Sequence, residues 1–127
     1  MTQGRLDTAM RVCIPTVAPG GPDARVPEHF DLMEIVDYYD LRDNGDFDHV
    51  AETSYCGGGC FDIVEAITRR GTEALVLKSI SPSTHRRFTS AGVKVYFAGS
   101  SAPRQLLKSL TEKSLPELDA KTQTMRL

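Results

Sequence analysis

A chain of 127 residues, 40% hydrophobic and 25% charged, has enough apolar material for one core but not for two independent ones. Its net charge of −2 gives no global attraction to nucleic acid or an anionic membrane, and no apolar run approaches the roughly 18 residues needed to span a bilayer. Three cysteines, an odd number, without the charged-then-apolar start of a signal peptide, argue against a secreted disulfide framework and for a reducing cytoplasm.

Residues 1–9, MTQGRLDTA, are polar and aperiodic and are expected to form a disordered leader, with Met10 as the structural start. Met10, Val12 and Ile14 then alternate with Arg11 and Cys13 and stop at Pro15, which reads as a first strand. Pro15 and the stretch TVAPGGPDARVPEH carry four prolines and two glycines, so a loop follows. Its length exceeds most connections in compact domains and raises its chance of being functional. FDLMEIVDYYDL supplies a second strand, Asn44-Gly45 a favoured hairpin dipeptide, and FDHVAETS a third strand antiparallel to the second.

The period then changes. Cys60, Ile63, Val64 and Ile67 fall at i, i+3, i+4 and i+7, the stripe of an amphipathic helix, with Arg69, Arg70 and Gly71 closing it. EALVLKS is a short apolar strand of the kind buried on both faces. Ser81-Pro82 opens a second helix that Gly92 ends, VKVYFA is the fifth strand, and SAPRQLLKSL is a third helix with Pro103, Leu106, Leu107 and Leu110 on one face. Residues 119–127 read as a flexible tail, leaving 10–118 as the domain. The order β-β-β-α-β-α-β-α predicts an α/β fold: a mixed five-stranded sheet ordered 3-2-1-4-5, only strand 2 running backwards, flanked by three helices.

In such a sheet ligands bind outside the carboxyl ends of the strands. That rim would collect Cys13, His29, Cys56 and Cys60. Thiolates suit soft metals and iron–sulfur clusters, and imidazole can complete the set. Gly57, Gly58 and Gly59 between two cysteines leave backbone amides open to an anionic cluster or oxyanion. The competing readings are packing for Cys13 inside its strand and for Cys60 on its helix stripe. Cys56, with no apolar periodicity to explain it, is the best ligand of the three. The missing lysine followed by Ser or Thr argues against a P-loop, and a thiol enzyme lacks an assignable third group. A metal nuclease would need clustered carboxylates, and the first strand offers none. THRRF, Thr84 to Phe88, reads as a solvated basic face.

The motifs MRVCIPT, VPEHF, a glycine-rich turn into the first helix, ISPSTHRRFTSAGVKVY and LLKSL…SLPEL occur in an order that resembles the dinitrogenase iron–molybdenum cofactor biosynthesis family. That family includes NifX-type carriers and the C-terminal domain of NifB, and the similarity runs from about Met10 to Leu118. The resemblance implies a ribonuclease H-like three-layer fold and a non-catalytic role: binding, storing or delivering a metal–sulfur cluster of iron–molybdenum or iron–sulfur type. His29 matches the histidine of the family's S-x-H-F-like motif. Cys56 to Cys60 falls where many members carry a glycine-rich turn, often with histidine. Asp31 and Ser81 stand where glycine is common.

The expectation is a cytoplasmic cluster carrier with Cys56, Cys60, His29 and Cys13 as metal ligands and Gly57, Gly58, Gly59 and Ser81 as cofactor contacts. Its partner would be a cluster donor or acceptor protein, with neither nucleic acid nor membrane. The competing expectation is an interaction or regulatory module of the same fold without metal.

Overall fold

Met10–Thr16 forms the strand β1, buried from Val12 to Thr16 at the centre of the sheet. The computed structural model describes residues 10–55 and 62–118. β1 pairs antiparallel with β2 (Ile35–Leu41), from Met10 opposite Leu41 to Thr16 opposite Ile35, and parallel with β4 (Ala74–Leu77) on its other side. β3 (Phe47–Ser54) lies antiparallel outside β2 and β5 (Lys94–Phe97) parallel outside β4, giving the order β3-β2-β1-β4-β5. Only β2 runs against the others, as the connection pattern predicts. The β2–β3 hairpin turns at Gly45, whose φ of +96° is the left-handed conformation that the Asn-Gly dipeptide anticipates.

Helices cover both faces. Cys13, Val36, Tyr38, Leu75 and Leu77 form one core with Val64 and Ile67 of α1 (Ile63–Arg69) and Phe88 of α2 (Pro82–Ser90). Val12, Ile14, Tyr39, Leu41 and Val76 form the other with Leu106, Leu107 and Leu110 of α3 (Pro103–Thr111). The alternation of each strand therefore divides its side chains between two helical layers.

Three local differences from the sequence reading have physical causes. Phe30–Leu32 is a short 3-10 turn rather than the start of β2, because His29 caps it and Phe30 drops into the core. In THRRF, His85 is buried and its Nε2 lies 2.9 Å from the Leu118 carbonyl oxygen, while Arg86 and Arg87 stay exposed. That contact belongs to a small extension of the sheet: the Phe97 amide donates to Pro116 O at 2.9 Å and the Leu118 amide to Val95 O at 2.8 Å. Residues 116–118 thus shield the β5 edge, which would otherwise be open to pairing with another chain.

The third concerns α1. Its N-cap is Asp62, whose Oδ1 accepts from the Val64 and Glu65 amides at 3.1 and 3.3 Å, and the described stripe starts at Ile63. Arg87 of α2 donates to Asp62 Oδ2 at 2.7 Å, tying the start of α1 to the last turn of α2. This hydrogen bond, then that from the Glu65 amide, holds the Asp62 carboxyl below its ordinary value. A lowered folded value means stability that is present above the ordinary aspartate value and lost as pH falls through the folded one. Asp62→Asn is therefore expected to flatten the acid side of the stability curve, read as a smaller loss of unfolding midpoint between neutral and acid pH than in the parent.

Candidate metal-binding rim

The carboxyl ends of β1, β3, β4 and β5 lie along one edge, and backbone hydrogen bonds stitch their connections together there. The Phe30 amide donates to Ser79 O at 2.9 Å and the Ser79 hydroxyl donates back to Glu28 O at 2.8 Å. Lys78 and Glu28 add an ion pair of 3.1 Å. These contacts fasten the turn carrying His29 to the loop after β4. The Glu34 amide donates to Thr16 O and the Tyr55 amide to Glu34 O, each at 2.9 Å, so the ends of β1 and β3 join the same seam.

His29 stands on this rim with 38% of its side chain exposed. The Asp31 amide donates to its Nδ1 at 3.1 Å, and the Asp31 carboxylate lies 3.6 Å away. A neutral imidazole that accepts at Nδ1 carries its proton on Nε2. A metal taking either nitrogen must then displace the cap or shift the tautomer, so capture at His29 is coupled to loosening of the 3-10 turn.

The remaining candidates fall into three groups. Cys56, Gly57, Gly58, Gly59 and Cys60 lie outside the described residues; the described residues on either side, Tyr55 and Asp62, are both anchored, the first to Glu34 and the second to Arg87. Ser81 lies just beyond the rim loop but is occupied as the α2 cap, its Oγ accepting from the Thr84 amide at 3.3 Å and donating to Thr84 Oγ1 at 2.9 Å. Cys13 is not on the rim. Its side chain is wholly buried beneath α1 and α2, and burial, with a smaller contribution from the charge of Asp37, pushes the thiol well above its ordinary value. A thiol so placed packs like a small apolar residue.

One constellation escapes the sequence reading. Asp37, His49 and Glu52 bring ligand atoms within 4.8 Å of one another, on the opposite face of the sheet from Cys13. The available signal was Asp37 itself, a carboxylate in the otherwise apolar run IVDYY.

Residues 10–113 match the family described as dinitrogenase iron-molybdenum cofactor. The chain belongs to that family. Solved structures agree in fold. The protein PH0822 superimposes with a TM-score of 0.71 at 21% identity, covering 86% of this chain and 96% of its own. The apo form of the orange protein from Desulfovibrio gigas gives 0.67 at 15% identity, covering 88% and 95%. A Thermotoga protein, TM1290, with a provisional NifB designation, gives 0.66 at 25% identity, covering 86% and 93%. No curated protein matches by sequence. Among the described residues of this family member, no helix is long and apolar enough to cross a membrane.

Proposed function

We propose that this member of the iron–molybdenum cofactor family is a carrier that captures a metal–sulfur cluster at the rim and passes it to a partner protein. The observation that carries the reading is the seam itself. Hydrogen bonds hold the turn bearing the His29 imidazole against Ser79, and hold Glu34 of the same connection against Tyr55, the residue before Cys56. An anchored imidazole and an anchored strand end leading into a two-cysteine, three-glycine run form a donor set suited to a thiolate-seeking cluster.

Cys56, Cys60 and His29 are the ligands in this reading, and the amides of Gly57 to Gly59 hydrogen-bond cluster sulfides or oxyanion oxygens. Cys13 is left out of the set because it has no exposed surface. The cargo is of iron–molybdenum or iron–sulfur type, and the partner is a cluster donor or acceptor. No turnover is required, since reversible capture with the cap at His29 opening and reclosing is enough.

Anaerobic reconstitution with iron, sulfide and molybdate, followed by desalting and metal analysis, tests the proposal. The parent is expected to retain metal with a visible absorption band, and Cys56→Ser, Cys60→Ser and His29→Ala each to lower retention by about tenfold or more. Cys13 should resist alkylation in the native state with or without metal, whereas metal should protect Cys56 and Cys60. Retention of no metal, or retention and labelling unaltered by the variants, overturns the carrier and leaves an interaction module of the same fold.

A further inference from the structure

β3 carries one residue too many for its partner. Tyr38 faces Ala51 and Tyr39 faces His49, so Val50 is extruded as a bulge and is 43% exposed. The consequence is a change of face. Strict alternation would send His49 to the side opposite Glu52, but skipping Val50 returns it to the side of Asp37, Tyr39 and Glu52. Glu52 is directly opposite Asp37, and His49 directly opposite Tyr39.

Asp37 is fully buried, and its two oxygens have different partners. Oδ2 accepts from the Thr16 hydroxyl at 2.8 Å and the Gly21 amide at 2.9 Å. Gly20 lets the loop close over it: a Cβ there would stand 3.3 Å from Asp37 Oδ2 and 2.9 Å from Ile35 Cγ2, at a φ of +79°. Oδ1 is left to His49 Nε2, at 2.8 Å. These bonds fix the orientation of the Asp37 carboxylate.

Tyr39 supplies an independent observation. Its ring stacks on the His49 imidazole at 4.8 Å, and its hydroxyl is buried with no hydrogen-bond partner among the described residues. A buried phenol with nothing to bond calls for an explanation, and a bound water or ion is one.

We propose that Asp37 Oδ1, His49 Nε2 and Glu52 form a binding site for a divalent first-row transition ion, separate from the cysteine rim, with Tyr39 hydrogen-bonding a water on that ion. Oxygen and imidazole ligands sit about 2.0–2.2 Å from such an ion, so atoms 2.8 Å apart can share it. The exposed Glu52 closes from within 4.8 Å by side-chain rotation. On binding, the proton held between His49 Nε2 and Asp37 Oδ1 leaves to solvent and the metal takes both lone pairs. One imidazole and two carboxylates suit cobalt, zinc or nickel and lack the sulfur donors of the rim. The site clips edge strand β3 to β2 and does not depend on the carrier proposal.

Cobalt(II) titration of the full chain separates the two sites. The Cys56→Ser/Cys60→Ser double variant is expected to bind about one cobalt, with visible d–d bands and no thiolate charge-transfer band. Adding His49→Gln or Glu52→Gln should weaken that binding by about tenfold or more, with the folded circular dichroism spectrum unchanged. Both positions are exposed on the edge strand, so these variants should fold. No cobalt bound by the double variant, or affinity unaltered by His49→Gln and Glu52→Gln, overturns the site.

Discussion

Phe88→Ala is expected to destabilise the fold by about 3–5 kcal/mol, lowering the unfolding midpoint by ~10–20 °C. Phe88 has no exposed surface and fills the core between α2 and the sheet. Its ring meets Phe30 edge-on, with centroids 5.8 Å apart and planes at 84°, the geometry in which an aromatic pair adds to simple burial. Phe30 is also the first residue of the turn capped by His29, so the cavity opens directly beneath the rim. The variant should lose metal retention beyond what instability alone explains. Leu107→Ala, an equally buried truncation beneath α3 on the other face, supplies the control. Chemical denaturation gives the first quantity and metal analysis below the unfolding transition gives the second. Equal retention by both variants would show that the Phe30–Phe88 contact does not position His29.

The second large effect is expected at Asp37. Asp37→Ala strands the Thr16 hydroxyl, the Gly21 amide and the His49 ring, and such a buried loss costs ~3–5 kcal/mol. Asp37→Asn keeps an oxygen for the two donors on the Oδ2 side and turns its amide toward His49, which can accept as the other tautomer. It should cost about 1–2 kcal/mol. The contrast isolates hydrogen-bond satisfaction from volume. Urea unfolding of the two variants without added metal measures it, and identical losses would mean that Asp37 contributes through packing alone.

The two faces of the sheet show why some of this was legible in the chain and some was not. Period-2 alternation around Val12 and Ile14, the Asn44-Gly45 turn and the Leu106-Leu107-Leu110 stripe are local signals. Each was sufficient because the strand, the turn and the helix face it marks are set by neighbours in the chain: Gly45 takes the positive φ, and Leu106, Leu107 and Leu110 share one face of α3. His29 was legible as a rim residue because strand 2 had to return to the edge where strand 1 ended. The start of β2 was misplaced by five residues for the opposite reason: Phe30 is apolar enough for a strand, and only its contact with Phe88 selects a turn. The burial of His85 likewise depends on Leu118, 33 residues away.

Residue order alone determined the mixed sheet, its strand sequence and the family, since these follow from periodicity, turn chemistry and motif order along the chain. Only tertiary structure decided that Cys13 is a core residue and that Asp37, His49 and Glu52 share a face. Burial of a thiol depends on which helices lie over it. The face of His49 depends on a single extruded residue, Val50, and a one-residue bulge reverses alternation without leaving a mark in composition or spacing.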